Sequence, residues 1–138
     1  YKPDYIVGLT RGGNIPATIL SNMLDIPCEA MKVSFRNDDR VDENFWLSEL
    51  AMEKNILIVD DINDTGATFN WIKNDWESRH NDPEKWARTW GHNVKFAVLT
   101  ENLASEFDGV TYSCDEVNKA EEDCWLVYPW ENVGEYGG

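Results

Sequence analysis

The feature that most constrains the fold of this chain is a buried strand that leads directly into an acidic, glycine-containing loop. Residues 56–59 are Ile-Leu-Ile-Val, a continuous apolar run of the kind that central parallel strands have because both of their faces are buried. Asp60 and Asp61 follow at once, and residues 64–68 then read Asp-Thr-Gly-Ala-Thr at the predicted start of a helix. A strand, loop and helix in this order predict a parallel α/β sheet with a ligand site at the carboxyl end of the strand.

Strands and helices alternate along the rest of the chain. The apolar runs and periodicities predict strands at 5–9, 29–35, 56–59, 94–99, 110–113 and 125–127, and helices from Asn14 to Pro27, at 67–78 and around Trp86 and Trp90. Five apolar residues form one face of the first helix: Ile15, Ile19, Leu20, Met23 and Leu24. Asn14 is expected to cap this helix. The alternation predicts one α/β domain over residues 1–138, a doubly wound, mainly parallel sheet with helices on both faces.

One long polar segment interrupts this pattern. Residues 36–54 are poorly periodic and carry a cluster of acidic side chains. A segment of that length inside a compact domain is usually mobile or functional. We expect it to form a flexible hood over the site.

The net charge excludes several classes of partner. Twelve basic residues stand against 26 acidic ones, which gives a formal net charge of −14. Such a surface repels phosphate backbones and anionic lipid, so neither nucleic acid nor a membrane is expected as the main partner. The three cysteines are odd in number and have no Cys-x-x-Cys spacing, which favours reduced thiols in a cytoplasmic protein.

The acidic loop has the chemistry of a phosphate and sugar site. Where residues 64–68 enter the helix, backbone N–H groups and threonine hydroxyls can bind an anion, and Gly66 permits a tight turn. Asp60 and Asp61 repel each other unless a cation or a hydroxyl group lies between them. A divalent metal together with a sugar diol meets that requirement, whereas the alternative is an ordinary solvated acidic turn.

Residues 56–68 resemble the phosphoribosyl-pyrophosphate motif of type I phosphoribosyltransferases at every position. The run Thr-Arg-Gly-Gly at 10–13 is similar to the pyrophosphate loop of that family. Residues 123–130, Asp-Cys-Trp-Leu-Val-Tyr-Pro-Trp, are similar to the purine-binding segment of xanthine-guanine phosphoribosyltransferases. The resemblance covers nearly the whole chain and implies the type I phosphoribosyltransferase fold, here without the N-terminal helix that normally precedes the first strand.

The resemblance also implies a role for individual residues. Five of them would bind the 5-phosphate of phosphoribosyl pyrophosphate: Asp64, Thr65, Gly66, Ala67 and Thr68. Asp60 and Asp61 would hold Mg²⁺ and the ribose hydroxyls, and with Asp64, the candidate general base near N7 of a purine, they form the catalytic set. The pyrophosphate would be bound by Thr10, Arg11, Gly12, Gly13 and a second arginine of the hood, either Arg36 or, as we prefer, Arg40.

The base-binding residues fit the family less closely. Trp125 would stack on the base, and backbone groups around Leu126 would contact its edge. Glu101 stands where purine enzymes of the family usually have a lysine that donates to the 6-oxo group, and Asn102 could donate its amide there instead. The transfer reaction is therefore better supported than the identity of the base.

These features lead us to expect a Mg²⁺-dependent enzyme that transfers a phosphoribosyl group to xanthine, guanine or hypoxanthine, and that forms a homodimer or homotetramer. One alternative is a regulatory protein of the same fold that binds a nucleotide without turnover. Another is a phosphoribosyltransferase for a different base.

Overall fold

The computed structural model describes residues 1–10, 12–33 and 45–117 of the chain. Its elements are β1 (Tyr5–Thr10), α1 (Asn14–Leu24), β2 (Cys28–Lys32), α2 (Phe45–Ala51), β3 (Ile56–Asn63), α3 (Ala67–Arg79), α4 (Pro83–Thr89), β4 (Val94–Asn102) and β5 (Val110–Val117). The five strands form one sheet in the order β2-β1-β3-β4-β5, and every neighbouring pair is parallel. This confirms the predicted doubly wound α/β fold.

The two faces of the sheet have different cores. Alternate residues of each strand point to opposite faces, so the same strands contribute to both. One face packs against α2, α3 and α4, and its buried centre includes Ile58, Phe69, Trp76 and Phe96. The other packs against α1 and has a smaller buried cluster: Ile6, Ala17, Leu57, Val59 and Ala97.

The larger core is built on stacked tryptophans. Trp86 lies parallel to Trp90 with 5.1 Å between ring centroids, and Trp90 stacks on Trp76 at 5.8 Å. Trp76 and Trp86 are fully buried, and Trp71 packs against the same cluster. These residues therefore belong to the core.

The first helix differs from the prediction in two ways. Gly13, not Asn14, occupies the N-cap position. The predicted apolar face is also wrong as a core face, because Ile15, Ile19, Met23 and Leu24 are exposed, and Pro16 and Ala17 are buried instead. A Cβ at Gly8 of β1 would lie 2.7 Å from the Cβ of Ala17, so only small residues fit between helix and strand. Of the larger side chains, Leu20 packs against the small buried cluster, and Ile19 lines a cavity between α1 and the sheet.

Several elements are longer in the structure than the sequence predicted, and one helix was not predicted at all. Residues 45–51 form helix α2, which the sequence pattern did not predict; it buries Leu47, Ser48 and Ala51. Strand β3 continues through Asp60 and Asp61 to Asn63, and β4 continues to Asn102. The strand predicted at 125–127 lies outside the described residues. Of the helices within the described ranges, none has the length and apolarity needed to cross a membrane.

Candidate phosphoribosyl site

The carboxyl ends of β1, β3 and β4 bring the predicted phosphate-binding residues to one edge of the sheet. The register places Asp60 beside Val98 and Asn63 beside Glu101, so the polar ends of β3 and β4 lie next to each other. Parallel α/β sheets bind their ligands at this edge.

The segment predicted to bind phosphate, residues 64–68 and called the phosphate loop below, follows β3 and leads into α3. Gly66 has a φ of 92° and is the N-cap of α3, which begins at Ala67. The loop and the end of β3 enclose a cavity of about 200 Å³ that is lined by ten consecutive residues, from Asp60 to Phe69. Because the first N–H groups of a helix have no partner within the helix and carry the positive end of its dipole, this cavity suits a phosphate.

The two adjacent carboxylates are oriented by the backbone. Asp60 accepts the N–H of Asp61 at 2.8 Å, and Asp61 accepts the N–H of Ile62 at the same distance. Asp61 is buried, with 8% of its surface exposed, whereas Asp60 is half-buried. These bonds fix both side chains at the edge of the phosphate cavity.

The carboxylates fit a magnesium ion that is shared with a substrate. No group of three or more His, Cys, Asp or Glu side chains within the described ranges could hold a metal by itself. Mg²⁺, however, is usually bound by one or two carboxylates together with substrate phosphates and water. Asp60 and Asp61 offer the hard oxygen donors that such a shared ion needs.

Three described residues of the predicted pyrophosphate loop, Thr10, Gly12 and Gly13, lie at the same edge. A Cβ added at Gly12 would lie 2.3 Å from Oδ2 of Asp61, so the loop backbone packs directly against this carboxylate. Gly13 approaches β3 in the same way, since its Cβ would lie 2.2 Å from the carbonyl oxygen of Val59. Thr10 lies at the end of β1, and its hydroxyl is 3.4 Å from the carbonyl oxygen of Met31.

A second cavity, of about 410 Å³, adjoins the phosphate cavity. Asp64, Thr65 and Ala67 line both cavities. The remaining walls come from α3 and from the segment after β4: Asn70, Asn102, Ala104 and Glu106. Asp64 therefore lies between a space that suits a phosphate and a larger polar space.

A larger, mainly apolar cavity lies elsewhere. It measures about 470 Å³ and separates α1 from β3, β4 and β5. None of the described residues that line it is charged, and most are aliphatic. A phosphate would lose its hydration there without gaining charged or polar partners, so we place the site at the smaller polar cavities.

Comparison with known proteins shows the family to which the chain belongs. A family model described as a phosphoribosyl transferase domain matches residues 1–129. The chain belongs to the phosphoribosyl transferase family. It is therefore a phosphoribosyltransferase by class, and the family resemblance predicted from residues 56–68 is confirmed.

Phosphoribosyltransferases that act on purines are among its relatives. The hypoxanthine-guanine phosphoribosyltransferase of Schizosaccharomyces pombe is 27% identical over 160 residues, which cover 95% of this chain and 78% of the relative. The xanthine-guanine phosphoribosyltransferase of Cereibacter sphaeroides is 26% identical and covers 95% of this chain and 71% of its own length. The crystal structure of a purine phosphoribosyltransferase from Pyrococcus horikoshii superposes with a TM-score of 0.65 at 27% identity, covering 95% of this chain and 79% of that one.

The structure brings together most of the predicted site residues that it describes. Residues 60, 61 and 64–68 line one cavity, and Gly12 contacts Asp61. Glu101 lies in β4 beside Asn63, and Asn102 ends that strand. Five predicted residues lie outside the described ranges: Arg11, Arg36, Arg40, Trp125 and Leu126.

Two residues at this edge had no predicted role. Asn63 is buried and donates its amide to the carbonyl oxygen of Phe107 at 2.9 Å. The Ser105 hydroxyl donates to Oδ1 of Asn63 at 3.0 Å. The partners are more than 40 positions apart in the sequence, so no local pattern could have indicated these contacts.

Proposed function

We propose that this protein transfers the phosphoribosyl group of phosphoribosyl pyrophosphate to a purine base with a 6-oxo group, releasing pyrophosphate. The observation that carries the proposal is the cavity formed by residues 60–69 at the N-terminus of α3, with two oriented carboxylates at its edge. The similarity to a hypoxanthine-guanine and to a xanthine-guanine phosphoribosyltransferase supports a purine as the acceptor.

In the proposed complex the 5-phosphate and the base lie in different cavities. The 5-phosphate occupies the cavity of about 200 Å³, where N–H groups at the start of α3 bind its oxygens. The base lies towards the adjoining cavity, on the far side of Asp64. This arrangement fixes the ribose between them, and orientation of this kind can supply a large part of a rate enhancement.

Asp60 and Asp61 are proposed to hold Mg²⁺ and the ribose hydroxyls. When bound, Mg²⁺ neutralises the charge of the pyrophosphate leaving group. The carboxylates themselves lie where positive charge develops on the ribose ring as the bond from C1 to the pyrophosphate oxygen breaks. Fixed negative charge close to that position favours the transition state over the ground state.

Asp64 is the proposed proton acceptor. A ring nitrogen of the base forms the new bond to C1 of the ribose, and the base loses a proton as the bond to pyrophosphate breaks. Asp64 lines both cavities, which in this arrangement would put it between the sugar and the base. A positioned carboxylate can accept such a proton directly or through water.

The pyrophosphate is proposed to lie against Gly12 and Gly13, where the backbone can approach it closely because no side chain intervenes. Arg11 and Arg40 are proposed to add the cationic donors. None of the described residues lining the two polar cavities is basic, so these arginines and the metal would supply most of the positive charge.

We also propose a cytoplasmic homodimer or homotetramer. The free thiols of Cys28 and Cys114 favour a reducing compartment. The exposed apolar residues of α1, which include Ile19 and Met23, support contact with another subunit. Sedimentation of the purified protein measures the oligomeric state.

Turnover of a panel of bases tests the proposal. The protein is incubated with Mg²⁺, phosphoribosyl pyrophosphate and one base at a time: xanthine, guanine, hypoxanthine, adenine, orotate or uracil. We expect a 6-oxopurine to give its nucleoside monophosphate and an equal amount of pyrophosphate, with Asp64→Asn as the inactive control. Binding of a nucleotide without turnover of any base would favour the regulatory protein instead. Turnover of orotate or uracil alone would assign a different acceptor.

A further inference from the structure

The connection between β4 and β5 packs against the back of the phosphate loop. Its contacts with residues 63–65 are hydrogen bonds between groups that are distant in sequence. Asn102 donates to the carbonyl oxygen of Asp64 at 2.7 Å, and the N–H of Glu106 donates to the carbonyl oxygen of Thr65 at 3.0 Å. Asn63 and Ser105 add the pair of contacts described above.

Asn102, the last residue of β4, bonds to the phosphate loop through its side-chain amide. It has 6% of its surface exposed. Its Oδ1 accepts the N–H of Ala104 at 3.1 Å, which fixes the side-chain amide in one orientation. With that orientation, Nδ2 is directed at Asp64, 2.7 Å from the backbone oxygen and 3.5 Å from Oδ1 of the carboxylate.

These bonds determine where two N–H groups of the loop point. In a planar trans peptide the C=O and the following N–H point in opposite directions. Because Asn102 holds the carbonyl of Asp64, the N–H of Thr65 points away from β4. Because Glu106 holds the carbonyl of Thr65, the N–H of Gly66 also points away. Two successive N–H groups directed to the same side form an anion-binding nest.

We propose that Asn102 is a positioning residue that holds the peptide between Asp64 and Thr65 in the orientation that binds the 5-phosphate, and that it does not serve as the donor to the 6-oxo group of the base. This inference rests on the proposed function. The amide nitrogen of Asn102 has two donor hydrogens, and in the structure it contacts two oxygens of Asp64, the backbone carbonyl at 2.7 Å and Oδ1 at 3.5 Å, so its donors face Asp64 and not the base. Without the contact between Asn102 and Asp64, a smaller fraction of molecules has the phosphate loop in the orientation that binds the 5-phosphate. The apparent Kd for the phosphorylated ligand then rises in proportion.

A ligand without a base separates the two roles. Ribose 5-phosphate is titrated by calorimetry into the wild-type protein, Asn102→Ala and Asn102→Asp. The aspartate has the shape of the asparagine and can still accept the N–H of Ala104, but when ionised it cannot donate to Asp64. We expect both variants to bind ribose 5-phosphate about tenfold or more weakly, and to raise the KM for phosphoribosyl pyrophosphate more than the KM for the base.

The matched control is Asn93→Ala, at the residue that immediately precedes β4. The Asn93 amide also donates to backbone carbonyls, those of Ala51 and Lys54, but it lies at the edge of the sheet away from the site. We expect this variant to lose stability, as measured by urea unfolding, and to retain the wild-type Kd for ribose 5-phosphate. If lower stability alone weakened binding, Asn93→Ala would lose affinity for ribose 5-phosphate as the Asn102 variants do.

Three results would contradict either the positioning role of Asn102 or the proposed function. Unchanged binding of ribose 5-phosphate by the Asn102 variants, with a raised KM for the base, would overturn the positioning role and make Asn102 a base contact. Equal weakening in Asn93→Ala would also overturn it. Failure of the wild-type protein to bind ribose 5-phosphate would overturn the proposed function itself, and the inference with it.

A second variant tests the same inference if the Asn102 variants do not fold. Ser105→Ala removes the hydroxyl that bonds to Asn63 and accepts the N–H of Phe107, but leaves Asn102 in place. Ser105 is only half-buried, so we expect a folded protein with weaker binding of ribose 5-phosphate in the same direction. Wild-type affinity in Ser105→Ala would overturn the inference that the connection supports the loop.

Discussion

Asn93 immediately precedes β4 and Asn102 is its last residue, and each donates its side-chain amide to a backbone carbonyl of another segment. At the amino end, Asn93 bonds to the segment that leads from α2 into β3, and the Tyr1 hydroxyl lies 2.9 Å from the carbonyl oxygens of Asn93 and Ile56. At the carboxyl end, Asn102 bonds to the loop that encloses the phosphate cavity.

The chemistry of the two bonds is the same, but the groups around them differ. The amino edge joins backbone segments to each other, so its polar contacts serve the stability of the fold. The carboxyl edge holds two oriented carboxylates and a glycine with positive φ around open cavities. The comparison indicates that a substitution at the carboxyl edge should change ligand binding or catalysis, and one at the amino edge should change stability alone.

Asp64→Asn should produce the largest effect. If the carboxylate accepts a proton, its loss should lower kcat by about 10²- to 10⁴-fold and change KM less. Steady-state kinetics with a turned-over base measures both constants. Asp108→Asn, at an exposed acid of the β4–β5 connection, serves as the control and should be close to wild type. An unchanged kcat in Asp64→Asn would remove this residue from the catalytic set.

Asp61→Asn should weaken the binding of phosphoribosyl pyrophosphate in the presence of Mg²⁺ by about 10- to 100-fold, because it removes a charge-assisted contact. Calorimetric titrations with and without Mg²⁺ measure the difference, which should nearly vanish without the metal. Small and equal effects of Asp61→Asn and Asp64→Asn would mean that these residues form an ordinary acidic turn.

Two glycines with positive φ, one at each edge, allow a closer comparison. Gly66 has a φ of 92° and Gly91 a φ of 80°, so an alanine at either position should lower the free energy of unfolding by about 1–2 kcal/mol. Only at Gly66 would the new Cβ also collide with a neighbour, 2.5 Å from the backbone nitrogen of Phe107. At Gly91 it would meet nothing within 4 Å.

We therefore expect Gly66→Ala to lose both stability and affinity for ribose 5-phosphate, and Gly91→Ala to lose stability alone. Urea unfolding and calorimetry on the two variants measure these quantities. If Gly91→Ala also lost affinity, the distinction between the two edges would not hold.

Tyr1→Phe should have the smallest effect. The hydroxyl contacts two carbonyl oxygens at the amino edge, but the side chain is 48% exposed, so its removal should lower the free energy of unfolding by about 1 kcal/mol or less. Urea unfolding measures this loss. The kinetic constants should not change, and a change in kcat would contradict the assignment of this edge to stability.

The sequence predicted those parts of the molecule whose causes are local. The run at 56–59 has the continuous apolar character of a buried parallel strand, and Phe69, Ile72 and Trp76 recur at helical spacing, so β3 and α3 were predicted correctly. The hypothesis of a phosphate loop also rests on a local pattern, because its glycine, threonines and acids are adjacent in the chain, and the structure shows the predicted turn at Gly66.

Other parts depend on contacts between distant segments. Helix α2 has only seven residues, too few for a clear periodicity, and its buried side chains gain their environment from the sheet. The close approach of Ala17 in α1 to Gly8 in β1 depends on the strand as well as on the helix, so the pattern of the helix does not contain it. The contact between Asn102 and Asp64 joins positions 38 residues apart, so the sequence indicated a polar residue near the base and not its partner.

The central claim is that the phosphate loop binds the 5-phosphate of the phosphoribosyl group. A crystal structure of the protein with ribose 5-phosphate and Mg²⁺ tests it most directly. We predict phosphate oxygens within about 3 Å of the backbone nitrogens of Thr65 and Gly66, with the Asn102 amide still bonded to the carbonyl oxygen of Asp64. A phosphate bound elsewhere, with the cavity formed by residues 60–69 filled only by water, would contradict the account.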